Sequence, residues 1–309
     1  REFSSVDELI IAKAIGGKAT IIFDTERYLQ QIAAADLLIA KFEDKKYVKN
    51  SLLTLAKTLD DKAQAFSQLG RLADSIAVNE KIIERFSTSS DTSLLLAVAQ
   101  SMLNKLRLLY LLGKNTAAME LYTQIITTFS ANNDVQIVEV VSLSMLHQGE
   151  ILAQTDKAAA RGLFVQVIRK LSGTDNPQLL EVLARAMLEH AETVQALNMM
   201  QSLPFYNKII RQFENSKQQG ILVIVAQAMI NNAKILGKME QLQAEISMHD
   251  KVVSKFTESK DLAMIEMVNI ATENKLLALR KLGKASGTRM LGDRVITALR
   301  RIEKIDQVH

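Results

Sequence analysis

Cysteine is absent from this chain of 309 residues, and proline occurs only 2 times. The lack of cysteine excludes a disulfide framework, thiol catalysis and cysteine-ligated zinc. Glycine (12 residues) and aromatic residues (5%) are also scarce, whereas 48% of the residues are hydrophobic. Because few residues break helices and enough are apolar to fill a core, the composition predicts an all-α protein.

Long hydrophobic runs are missing as well. The longest lies in ILVIVAQAMI (221–230), where Gln227 interrupts it, and a membrane-spanning helix needs ~20 apolar residues. The first residues, REFSSVDE, contain no apolar core of the kind found in secretory signals. We therefore expect a cytoplasmic protein that does not contact a membrane.

Charge is nearly balanced, since 38 Lys and Arg oppose 34 Asp and Glu for a net charge of +4. The excess cations gather near the C-terminus, at Arg280, Lys281, Lys284, Arg289, Arg294, Arg300, Arg301 and Lys304. A basic end can bind nucleic acid, but a charged, solvated end is also expected of any repeat array. The second interpretation is the simpler one, so nucleic acid is not the expected partner.

The sequence repeats with a period of 42–44 residues. An aromatic residue ends the phrases LLIAKF, KIIERF, QIITTF, KIIRQF and KVVSKF, at Phe42, Phe86, Phe129, Phe213 and Phe256, and Leu171 holds the equivalent place in the remaining repeat. A second phrase recurs as VAQSMLNK, VVSLSMLHQ, VLARAMLEH, VAQAMINN and MVNIATENK. Recurrence at this period is typical of stacked helix pairs.

Each repeat is interpreted as helix A, a tight turn, helix B and a loop. Leu-Gly pairs mark helix ends at 69–70, 112–113 and 282–283. The loops STSSD (87–91), SANND (130–134) and SGTDNP (172–177) supply residues that cap the next helix A.

These signals together predict a right-handed α-solenoid of about seven antiparallel helix pairs. No linker divides the array, so we expect one domain over residues 1–309. Its first pair, at 6–42, is degenerate, and regular repeats fill about 43–304.

The segment from Asn104 to Tyr122 resembles the tetratricopeptide repeat (TPR). It has the family's Leu112-Gly113 before the turn, the small Ala118 in helix B and the aromatic Tyr122 four residues later. A TPR-like superhelix is the fold that this resemblance implies across residues 24–304.

The sequence also departs from the TPR pattern. Its period exceeds the 34 residues of that family, and Met102 stands where a large aromatic residue is usual. Two repeats replace Leu-Gly, one with Thr155-Asp156 and one with Leu197-Asn198. A HEAT-like array, which has a similar period, is the alternative fold.

A polar column runs through the A helices. Its first row, spaced by 42–43 residues, is Asp61, Asn104, His147, Glu189, Asn231 and Asn274. Its second row, three residues further along each helix, contains Arg107, Glu150, Glu192 and Lys234. Helix positions three residues apart share one face. We therefore predict that these ten side chains form a ligand-binding surface on the concave side of the array.

The resemblance implies a role for the asparagines. In TPR proteins the position matching Asn104 often bonds the backbone or terminal carboxylate of a bound peptide, and the same role is implied for Asn231 and Asn274. An amide suits this role because it both donates and accepts hydrogen bonds. Two alternatives are that the stripe is simply a solvated helix face, or that its side chains bond one another between repeats.

The centre of the column is acidic, with Glu150, Glu189 and Glu192 beside His147. The natural complement of such a surface is a peptide with basic central residues. Only 4 histidines occur in the chain and none belongs to a zinc-binding motif, so no catalytic residue, metal or cofactor is predicted.

The sequence therefore favours a non-catalytic scaffold or sensor that binds a protein or peptide. One alternative is a self-assembling module that forms a homodimer through its terminal helices, 6–15 or 285–304. The other is nucleic-acid binding through the basic C-terminal end, which would show a steep dependence on salt.

Overall fold

The computed structural model describes residues 24–40 and 49–283. All regular secondary structure in these residues is α-helical. The helices are α1 (24–40), α2 (Lys49–Gln68), α3 (Leu72–Phe86), α4 (Thr92–Leu111), α5 (Asn115–Phe129), α6 (Val135–Leu152), α7 (Lys157–Lys170), α8 (Pro177–Leu197), α9 (Met199–Phe213), α10 (Gln219–Lys238), α11 (Leu242–Phe256) and α12 (Leu262–Lys281). From α2 onward, even numbers are A helices and odd numbers are B helices.

The predicted all-α fold of antiparallel helix pairs is confirmed. Five complete A–B pairs, α2 to α11, lie within the described residues, with α1 before them and α12 after them. Phe42 and the predicted terminal helices at 6–15 and 285–304 lie outside the described residues. The homodimer alternative, and most of the basic C-terminal cluster, fall on those same segments.

Short polar side chains start the helices, as the loop sequences predict. Asp91, Asp134 and Asn176 each accept a hydrogen bond from the backbone amide two residues later, at 2.9, 3.0 and 3.0 Å. The first turn of a helix has amides with no partner inside the helix, and these side-chain oxygens satisfy one of them. Pro177 follows Asn176 at the first helical position, where a missing N–H has no consequence.

The A–B turns use left-handed backbone. Gly70 and Gly113 have φ of +70° and +69°, a conformation that glycine adopts without steric cost. The turn between α10 and α11 instead places Glu240 at φ +61°. A side chain there is strained relative to glycine.

The contacts divide the chain into two compact units, residues 1–144 and 145–309. In unit 1, α2 to α5 pack consecutively, and α2 also packs on α4. The predicted single domain over the whole chain stays a prediction.

In unit 2, α7 to α12 pack consecutively. The A helices α8, α10 and α12 also pack directly on one another, whereas no two B helices do so among the residues described in this unit. The A helices therefore form the more closely packed side of unit 2, and their polar faces lie next to each other.

The repeating apolar residues form the core. Four B helices end at one of the predicted aromatic residues, all at most 6% exposed: Phe86, Phe129, Phe213 and Phe256. The repeated methionines are at most 5% exposed: Met102, Met145, Met187 and Met229. Burying one such side chain contributes ~1.5–3 kcal/mol, so these repeated residues contribute strongly to the stability of each unit.

Two of the described helices, α4 (Thr92–Leu111) and α10 (Gln219–Lys238), reach the length and apolar content of a membrane-spanning helix. Within their apolar windows, 44% and 56% of the residues are buried. Core helices of repeat proteins meet the same two criteria, and here both helices contribute to the cores of their units.

Two glycines in unit 2 differ in what surrounds them. A Cβ at Gly149 of α6 would lie 2.5 Å from Cε1 of Phe164, a ring that is 0% exposed. A Cβ at Gly162 of α7 would have nothing within 4 Å.

We expect Gly149→Ala to destabilise the protein by about 1–3 kcal/mol, because the buried ring of Phe164 would have to shift within the core. Gly162→Ala is the matched control and should stabilise by about 0.5–1 kcal/mol, since alanine is the better helix former. Urea unfolding followed by far-ultraviolet circular dichroism measures both. Equal effects of the two substitutions would show that the Gly149 contact does not limit packing.

Candidate binding surface on the A helices

The predicted polar residues of unit 1 lie on α2 and α4. Asp61 and Arg107 are exposed, and Asn104 is half-buried. The Asn104 amide donates to Oδ1 of Asp60 at 3.3 Å, so the bond between the two A helices uses the residue before the predicted one. Burial raises the pKa of Asp60 above its ordinary value.

Three glutamates of unit 2 form what we call the acidic cluster: Glu150 of α6 and Glu189 and Glu192 of α8. All three side chains are half-buried. Burial, together with the negative charges of Glu192 and Glu150, raises the pKa of Glu189 to about 7. Ionising all three carboxyl groups of the acidic cluster at neutral pH therefore costs free energy.

Two neighbours modify the charge of the acidic cluster. Arg185 lowers the pKa of Glu189, but its Nη2 lies 2.8 Å from Oε1 of Glu150, so it is already paired. His147 is half-buried, and burial lowers its pKa even though the charge of Glu150 acts in the opposite direction. At neutral pH the imidazole therefore adds no positive charge to the site.

Asn231 belongs to a hydrogen-bonded network inside unit 2 and is 7% exposed. Its Nδ2 donates to Oε1 of Glu192 at 2.8 Å and to the Tyr206 hydroxyl at 3.4 Å, and its Oδ1 accepts from Gln227 at 3.0 Å. The Tyr206 hydroxyl donates to Oε1 of Gln195 at 2.5 Å. The amide of Asn231 is thus committed within the fold, where it orients Glu192.

The remaining predicted residues lie toward the end of unit 2. Lys234 of α10 is exposed and Asn274 of α12 is half-buried, and both line a cavity of about 300 Å³ formed by residues of α8 to α12. Lys234 also acts on the acidic cluster, because its charge lowers the pKa of Glu192 against the larger opposite effect of burial.

Bonding between repeats, one of the two alternatives to ligand binding, is present at Asn104 and Asn231, which donate to Asp60 and Glu192 of the preceding A helices.

Sequence reasoning missed the partners that come from other helices. Tyr206 lies on helix B, two repeats after the buried Tyr122. A buried tyrosine needs a hydrogen-bond partner, so the repeated aromatic position could have pointed to a polar group on the facing A helix. No comparable signal marked Asp60 as the residue that bonds Asn104.

Metal coordination finds no support in this part of the chain. Across residues 24–40 and 49–283, no three His, Asp or Glu side chains are arranged to hold a metal ion.

No protein-family model matches the chain, and no curated protein matches its sequence. Solved structures similar to it include BtubC (BKLC) from P. vanneervenii, with 13% identity, coverage of 89% of this chain and 92% of that chain, and a TM-score of 0.43. A designed armadillo repeat protein has 12% identity, coverage of 81% and 98%, and a TM-score of 0.44. An engineered protein has 15% identity, coverage of 79% and 97%, and a TM-score of 0.40. Structural similarity at these TM-scores does not indicate a function.

The pKa of Glu189 makes stability depend on pH. The folded protein keeps this proton up to about pH 7, whereas the unfolded chain loses it near pH 4.5. The contribution of the group is therefore fully present below pH 4.5 and is lost as pH rises to about 7. Glu189→Gln removes this titration.

We expect Glu189→Gln to change the free energy of unfolding little at pH 4 and to raise it by about 1–2 kcal/mol at pH 8, after allowance for the half-exposed position. Urea unfolding across this pH range tests the expectation. Glu266→Gln, at an exposed position of α12, is the control for the loss of one surface carboxylate. A difference between Glu189→Gln and the parent that is constant with pH would contradict the assigned pKa.

Proposed function

We propose that this protein is a non-catalytic, TPR-like scaffold whose A-helix surface in unit 2 binds a basic segment of a partner protein. The observation that carries the proposal is the acidic cluster, in which burial and like charge raise the pKa of Glu189 to about 7. A lysine or arginine side chain placed against this carboxyl group would allow it to ionise and would relieve the repulsion.

The two basic side chains beside the acidic cluster do not take the place of this incoming cation. Arg185 is paired with Glu150, and Lys234 is exposed and acts on Glu192. An incoming arginine has the right geometry, because its guanidinium donates two parallel hydrogen bonds to one carboxylate. A half-buried carboxylate also offers a lower effective dielectric than the open surface, which strengthens the attraction.

The extent of the surface favours a peptide over a point-like ligand. The acidic cluster lies on α6 and α8, the exposed Lys234 lies on α10, and neighbouring helices stack ~9–10 Å apart. An extended peptide that crosses all three covers ~20 Å, or ~6 residues. The internal network around Asn231 holds Glu192 in a fixed position before binding, which reduces the entropy lost on association.

A library of random peptides selected against the full chain tests this proposal. We expect the retained peptides to be enriched in lysine or arginine at one position. The double variant Glu189→Gln/Glu192→Gln should bind the best peptide at least tenfold more weakly by isothermal titration calorimetry. The variant Glu258→Gln/Glu266→Gln removes the same charge at exposed positions and should bind like the parent.

Affinity should also rise with pH. Binding of a cation favours the ionised form of Glu189, so the proton held up to about pH 7 must leave on association. We expect up to a tenfold gain in affinity per pH unit between pH 6 and 7 and a plateau above it. Retained peptides without basic residues, or equal losses in the two double variants, would disprove the proposal.

A further inference from the structure

The cavity near the end of unit 2 has an unusual mixture of charges. It measures about 300 Å³ and is lined by residues of α8 to α12. Three lysines line it, Lys234 and Lys238 from α10 and Lys281 from α12, and all three are exposed. A single carboxylate, Glu245 of α11, faces them. The excess of cations favours a ligand that carries an anionic group.

One oxygen of the Glu245 carboxyl group lacks a hydrogen-bond partner among the described residues. The residue is 7% exposed, and its Oε2 has no hydrogen-bond partner among the described residues. Burial raises the pKa of this carboxyl group, although the charge of Lys281 lowers it. Leaving a buried acceptor unpaired costs about 1–3 kcal/mol, so a donor that enters the cavity would gain from contact with Oε2.

The backbone of α10 is shaped around this carboxyl group. A Cβ at Gly237 would come within 2.5 Å of Cδ of Glu245, so any larger residue would displace the carboxyl group. The absence of a side chain at Gly237 is therefore what allows Glu245 to occupy this place beside the cavity. The site thus contains a buried carboxyl group whose Oε2 has no hydrogen-bond partner among the described residues, in a space that Gly237 leaves open.

The rest of the wall is suited to a small organic molecule. Met199 of α9 and Leu277 of α12 supply apolar surface, and Asn274 supplies an amide that both donates and accepts. A volume of about 300 Å³ lies at the lower limit of ligand sites. The cavity thus combines an anion-binding side, a cation-binding or donor-binding group and an apolar wall within the space of a small molecule.

We propose that this cavity binds a free α-amino acid with an aliphatic side chain. Its carboxylate would contact the lysines and Asn274, its ammonium group would donate to Glu245, and its side chain would pack against Met199 and Leu277. The proposal does not require peptide binding at the acidic cluster, because Glu245, Asn274 and Lys281 lie outside that cluster. Lys234 is common to both sites, since it lines the cavity and also lowers the pKa of Glu192. It would make the chain a sensor of a small molecule as well as a scaffold.

Calorimetry on the full chain with L-leucine tests the proposal. 4-Methylpentanoate lacks the ammonium group and 3-methylbutylamine lacks the carboxylate, but both keep the aliphatic part. We expect L-leucine to bind and both analogues to bind at least tenfold more weakly. Equal binding of 4-methylpentanoate would reduce the site to a simple anion pocket and overturn the proposal, as would absence of L-leucine binding at millimolar concentration.

Variants then assign the ammonium contact. Glu245→Gln keeps the shape of the side chain and removes its charge, so it should weaken L-leucine at least tenfold and leave 4-methylpentanoate unchanged. Gly237→Ala should have the same effect through displacement of the carboxyl group. Glu266→Gln is the control, and thermal unfolding shows that each variant is folded. Parent-like affinity of folded Glu245→Gln for L-leucine would disprove the assigned contact.

Discussion

Direct packing of one A helix on the next is the contact on which the acidic cluster and the lysine-lined cavity of unit 2 depend. In this unit α8 packs on α10 and α10 packs on α12, in addition to the B helix that follows each in the chain. A polar stripe on a single helix would only be a solvated face. When the A helices pack on one another, their stripes become a continuous surface on which carboxylates from different repeats influence each other's protonation.

That surface separates into two electrostatic regions. The first is acidic, and its strength comes from crowding, because Glu150, Glu189 and Glu192 compete for one paired arginine. The second is rich in lysine and encloses the buried carboxyl group of Glu245. Lys234 stands between them, since it lines the cavity and also lowers the pKa of Glu192. Two regions of opposite charge are thus formed by equivalent helices of successive repeats.

Sequence periodicity predicted the helices well because it records burial within one helix. The B helices that end at Phe86 or Phe256, and the caps at Asp91 and Asn176, follow from local rules. Contacts between helices were harder, since one helix does not reveal its rotation against the next. Asn104 therefore bonds Asp60 in place of Asp61, and Asn231 is buried where an open position was expected. Glu245 was missed because it reaches its cavity from a B helix, past a glycine.

The bonds that Asn104 and Asn231 make across neighbouring A helices limit where the chain tolerates insertions. Each joins residues about one repeat apart, since Asn104 reaches Asp60 and Asn231 reaches Glu192. One added residue inside an A helix would rotate its polar face by ~100° and break both the bond and the column. Residues added to the loops at 87–91 or 130–134 would leave that register intact. We therefore expect this architecture to tolerate changes of length in the B-to-A loops, whereas the A helices must keep their length to preserve the register of the column.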